Sequence, residues 1–116
     1  MAENWVDVGA AAELSATPLR RIKPNDRDIA LSFRNEKFGA VSNACNHVGG
    51  PLGEGRIVDG CITCPWHGYQ YRLADGCAPP PFTEKLVTHR VRVARGIVEV
   101  DPAPLPPGTP AAIMVA

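Results

Sequence analysis

Cys45-Asn46-His47 and, after a gap of sixteen residues, Cys64-Pro65-Trp66-His67 are the two stretches whose reading decides this chain. Each box offers one soft thiolate and one imidazole. Two irons bridged by two sulfides need four protein ligands, and these boxes supply two of each kind, one ligand per iron from each box. The same four side chains suit a single Cys2His2 zinc ion. Common zinc knuckles pair like with like, whereas each box here mixes thiolate with imidazole, and the mixture favours iron.

Imidazole at two of the four positions changes the electrochemistry. Two ferric ions and two sulfides carry two positive charges, which two thiolates cancel, so reduction adds one uncompensated negative charge. Neutral histidines donate less charge than thiolates would, and the reduction potential rises above that of an all-cysteine cluster. The outer ring nitrogen of each ligand can also hold a proton, more tightly after reduction. The potential therefore falls with rising pH above the ligand pKa.

Working outward, residues 28–33 alternate through Ile29, Leu31 and Phe33, Asn35-Glu36-Lys37 gives a turn, and residues 38–41 return as a second strand. Residues 56–58 and 61–63 flank Asp59-Gly60, the composition of a type I′ hairpin. These hairpins place both boxes at hairpin tips. The glycines of residues 49–55 mark a loop whose backbone can approach a bound group. Residues 5–8, 19–22 and 69–71 read as short strands, and Pro18 disfavours helix immediately before it. Residues 86–94 alternate as one strand, Arg95-Gly96 turns the chain, and residues 97–100 close a last hairpin. Five of the ten residues 101–110 are proline, which predicts an extended tail rather than packed structure. No segment reads as a long helix.

At 116 residues the chain fits one domain and is too short for an oxygenase with its own substrate pocket. Lysine plus arginine equals aspartate plus glutamate, twelve each, so there is no general basic face for nucleic acid or acidic lipid. The N-terminal residues lack a secretory pattern and no apolar run could span a bilayer, which points to a cytoplasmic protein without membrane contact. Cys61 and Cys77 lie outside the boxes; a buried thiol is expected at Cys61, and a disulfide between the two stays open. His89, isolated on a predicted strand, reads as structural.

Cys45-Asn46-His47 and Cys64-Pro65-Trp66-His67-Gly68 resemble the two ligand boxes of the Rieske family, and the likeness covers most of the chain. The resemblance implies an all-β fold, a Rieske-like antiparallel β-sandwich with a small loop-built cluster-binding subdomain. Residues 1–101 would form the domain, about 43–81 the cluster subdomain, and 102–116 the Pro-rich tail. One [2Fe-2S] cluster would sit with Cys45 and Cys64 on its buried iron and His47 and His67 on its outer iron. Pro79, Pro80 and Pro81 fall where the family places a third, shielding loop. Respiratory members add a cysteine to each box and join the two; those places are Gly50 and Trp66 here, so that disulfide is absent.

The departure selects within the family. Boxes without the extra cysteines resemble Rieske-type ferredoxins of bacterial aromatic-ring dioxygenase systems, which implies a one-electron carrier rather than an enzyme. Its partners would be a flavin-dependent reductase as donor and a terminal oxygenase as acceptor. Val48, Gly49, Pro51, Trp66 and Pro80 would form an apolar rim for docking. Tyr69 replaces a serine that bonds a cluster sulfide in high-potential members, while Tyr71 is either a donor to a ligand sulfur or a core aromatic. Fewer donors predict a potential on the order of −150 mV, the low end of the Rieske range. Two alternatives stand beside this reading: a Rieske subunit or domain of a larger redox enzyme such as nitrite reductase, and, more remotely, the zinc-binding structural module.

Overall fold

The computed structural model describes residues 5–34, 37–43, 51–58, 60–65, 70–73, 75–79, 85–109 and 113–114. Its centre is the hairpin of β3 (Ile29–Arg34) and β4 (Lys37–Ser42), paired in register from Ile29 opposite Ser42 to Arg34 opposite Lys37. Branched and aromatic side chains suit such a pleated surface, and the Phe33 and Phe38 rings stack as a cross-strand pair with centroids 4.7 Å apart. β2 (Leu19–Ile22) pairs with β3, while β8 (Thr88–His89) and β11 (Ile113–Met114) both pair with the outer side of β4. Together they form a five-stranded antiparallel sheet.

Strict alternation along β3 and β4 gives this sheet two buried faces. Ile29, Leu31, Phe38 and Ala40 point one way, where they meet Val91, Val98 and Val100 of a second sheet. That sheet orders β1 (Val6–Ala10), β10 (Ile97–Val100) and β9 (Val91–Ala94). Leu14, from the short helix α1 (Ala11–Leu14), fills the same core. Ala30 and Val41 point the other way, toward a third, small sheet of β5 (Arg56–Val58), β6 (Cys61–Thr63) and β7 (Gln70–Arg72).

The all-β antiparallel architecture agrees with the sequence reading. Three details differ. Residues 86–94 are not one strand: Arg90 breaks the run, its carbonyl accepts a hydrogen bond from Asp101 N at 3.0 Å, and β8 and β9 join different sheets. The chain crosses from the middle sheet to its neighbour at the exposed Arg90, between the buried His89 and Val91. The first box does not cap a hairpin, since β4 and β5 belong to different sheets; only the second box lies between paired strands, β6 and β7.

The Pro-rich tail is extended but packed. Leu105 N donates to Thr88 O at 2.8 Å, Gly108 N to Leu86 O at 3.0 Å, and Thr88 Oγ1 to Thr109 O at 2.7 Å. Prolines set the extended geometry, and the non-proline residues between them supply the donors that fasten it. The Arg95-Gly96 turn is as read, with φ of 54° and 76°, the two left-handed positions of a type I′ hairpin. Among the described residues, no helix is long and apolar enough to cross a membrane.

Candidate metal centre

β6 runs straight into Cys64, so the pleat that buries Ile62 also directs the Cys64 side chain inward. Its thiol is free, only 2% of the residue is exposed, and it packs in one cluster with Leu52, Ile62, Tyr71, Ala78 and Leu86. Such surroundings screen a thiolate ligand from water and lower the local dielectric, which strengthens every interaction with a bound cation. A strand-end cysteine with no disulfide partner, in a chain whose other box supplies a second thiolate and whose boxes share two imidazoles, fits an iron–sulfur group. Cys45, His47 and His67, with Val48, Gly49, Trp66, Tyr69 and Pro80, lie outside the described residues.

Of the other sequence-selected residues, Pro51 is half-buried where the chain leaves the first box. Tyr71 is fully buried on β7 opposite Ile62, in the cluster that holds Cys64. The third loop is closed at its stem by a bridge between Cys77 and Lys85, and Ala78 at its start belongs to the same core. Behind this stem runs the tail: Gly108 has a φ of 80°, the left-handed region that favours glycine, and lies against the Lys85 and Cys77 side chains.

Cys61 is buried, as expected, and neither it nor the half-buried Cys77 is in a disulfide. Arg72 stands between them, paired with Cys61 across β6 and β7 and donating its N–H to the Cys77 carbonyl at 2.9 Å. Two strand spacings, roughly 10 Å, separate their backbones, beyond the reach of a disulfide. The Cys77 side chain, followed by the Asp75 carboxylate, holds the Arg72 guanidinium in its charged form and raises its pKa.

Residues that the motif did not flag join the two ends of the segment 44–50, which carries the first box in sequence. Asn43, 1% exposed, accepts from Leu52 N at 2.7 Å through its backbone carbonyl and from Gly53 N at 2.6 Å through Oδ1. Its Nδ2 donates to Asp28 Oδ2 at 3.3 Å, and its own N–H to the Asp28 carbonyl at 3.0 Å. Asp28 in turn accepts from Arg21 Nε at 2.5 Å and Nη2 at 2.8 Å, a bidentate pair that lowers the carboxyl pKa. The one sequence signal was a polar Asn ending an apolar strand, which any turn would also show.

An all-β domain with two mixed thiolate–imidazole boxes, one before and one after the β5–β6 hairpin in sequence, defines an iron–sulfur protein of mixed ligation. Comparison places it further: the Rieske [2Fe-2S] domain matches residues 4–92, and the chain belongs to that family. The domain's cofactor is a Rieske [2Fe-2S] cluster. The chain is 31% identical to the anthranilate 1,2-dioxygenase ferredoxin subunit of Burkholderia cepacia, over 84% of this chain and 92% of that one. It is 40% identical to the aminopyrrolnitrin oxygenase PrnD of Pseudomonas fluorescens, over 83% of this chain but 26% of the oxygenase. It spans 48% of a human Rieske domain-containing protein. Among solved structures it matches a chain in the complex of reduced oxygenase and oxidized ferredoxin in carbazole 1,9a-dioxygenase. The TM-score there is 0.79 at 27% identity, covering 90% of this chain and 98% of that one.

Proposed function

We propose that this chain is a cytoplasmic one-electron carrier of ferredoxin type, without catalytic activity of its own, serving a terminal oxygenase that acts on an aromatic ring. The observation that carries the reading is the near end-to-end likeness to a dioxygenase ferredoxin subunit, 92% of whose length this chain spans. In our assignment Cys45 and Cys64 hold the inner iron and His47 and His67 the outer one. The bound cluster supplies a reversible one-electron couple.

The chain's own residues do the rest. Cys64, buried among Leu52, Ile62 and Tyr71, would keep its thiolate dry, while His47 and His67 as neutral ligands would keep the oxidised site neutral and could offer their outer nitrogens to a partner. Pro51, with Val48, Gly49, Trp66 and Pro80 as the other rim residues of our assignment, would make a small apolar contact suited to a transient complex. The donor is a flavin-dependent reductase and the acceptor the oxygenase. Mixing the purified chain with a nicotinamide-linked flavin reductase and a Rieske oxygenase should give product formation that depends on this chain. Activity that is the same without it contradicts the carrier role.

The likeness to PrnD, within which this chain would be about a quarter, supports a second reading as the Rieske domain of a larger redox enzyme. Co-purification in a fixed ratio with a catalytic chain would favour that reading over the carrier.

A further inference from the structure

We propose that Asn43 is a positioning residue for the cluster, a buried clasp that sets where the first ligand box stands relative to the second. The inference rests on the ligand assignment proposed above and adds to it a residue the boxes do not contain.

Asn43 precedes Cys45 by two positions, and its partners Leu52 and Gly53 are where the chain resumes after the box. The two hydrogen bonds to them therefore close the loop 44–51 at its neck. The turn they grip, residues 52–54, is wedged so tightly that a Cβ at Gly53 would lie 2.7 Å from Asn43 Oδ1 and 2.9 Å from Arg21 Cα. At its far end a Cβ on Gly55 would overlap the carbonyl oxygen of Thr63, the residue before Cys64. One short turn thus touches both stems, two residues from one thiolate ligand and one residue from the other.

The amide also has a fixed sense. Asp28, clamped by Arg21, can only accept, so it takes the Nδ2 side and leaves Oδ1 for Gly53. A carboxylate at position 43 would face Asp28 as a like charge with no donor between them. Exchanging the two residue types restores one donor and one carboxylate in the same place.

The test compares as-isolated holoprotein carrying Asn43→Ala, Asn43→Asp, the exchange Asn43→Asp with Asp28→Asn, and Cys45→Ser. Readouts are the electron paramagnetic resonance g-values after dithionite reduction and the rate of iron release to a chelator. Both single Asn43 variants should shift the g-values and release iron roughly tenfold faster, the scale of lost support around metal ligands. The exchange should recover most of that loss, which a merely structural role would not do selectively. Asp28→Asn, at a half-exposed position, gives the same test where Asn43→Ala does not fold, with a smaller acceleration in the same direction. Wild-type g-values and release rates in these variants, while Cys45→Ser has lost its signal, overturn the clasp. A wild-type signal in Cys45→Ser overturns the ligand assignment and the clasp with it.

Discussion

On one face of the five-stranded sheet, Ile29, Leu31, Phe38 and Ala40 meet Val91, Val98 and Val100; on the other, Ala30 and Val41 meet Leu52, Ile62, Cys64, Tyr71 and Leu86. The first core is aliphatic and aromatic and draws on hairpins that alternate in and out. The second gathers single side chains from loops and short strands far apart in sequence, and it buries a thiol. A core of the first kind is held by apolar burial, about 25 cal/mol per Å² removed from water. The second core also contains the Cys64 thiol, and a group bound there would add to its folding. One face is scaffold; the other holds Cys64, the thiol we assign to the cluster.

The comparison would break most visibly at Cys64. Cys64→Ser should abolish the Rieske signal and remove most of the iron, while the far-UV circular dichroism of the larger sheets persists. Full iron content in that variant would show that the second core does not hold the cluster. Next come paired core truncations. Phe38→Ala should cost about 3–5 kcal/mol of stability by denaturant titration and leave the cluster spectrum of the folded fraction unchanged. Leu52→Ala should cost about 2–5 kcal/mol and also speed cluster loss, because Leu52 belongs to the turn between the boxes. Equal spectral effects from both would erase the distinction.

A smaller effect should follow removal of residues 105–116. Three hydrogen bonds to β8 and the third-loop stem vanish together with the short β11–β4 pairing, and at about 1 kcal/mol for each bond the loss by chemical denaturation should be at least roughly 3 kcal/mol. Smallest is the pH response of the scaffold face. Burial pushes the His89 imidazole below its ordinary 6.5, although its Nδ1–H donates to the Asp101 carbonyl at 3.1 Å. The unfolded chain then binds the proton first. Stability is full above about pH 6.5 and is lost as pH falls through the lower folded value. His89→Gln should flatten the fall in melting temperature between about pH 7.5 and 5; an unchanged slope would assign it to other groups.

The scaffold face was legible because its period is local. Leu19–Ile22, Arg56–Val58, Cys61–Thr63 and Ile97–Val100 are strands at the positions their β-prone residues and flanking turns predicted. The break at Arg90 was hidden, since alternation does not say which sheet a strand joins. The packed tail was hidden too: proline dictates extension, but only Thr88 and Leu86, brought alongside by the fold, give its N–H and C=O groups partners. At the site, the ligand types were written in two short boxes. Asn43, Asp28, Arg21 and Gly55 were not, because they meet only after β2, β4 and the 52–55 turn converge.

The central claim is that the second core seats a two-iron cluster of mixed thiolate and imidazole ligation working as a low-potential one-electron couple. Protein-film voltammetry of the purified chain tests it most directly. One reversible one-electron wave is predicted on the order of −150 mV, moving to lower potential as pH rises past the histidine pKa. A potential well above zero, or a colourless protein that gives no wave and carries zinc, would contradict it.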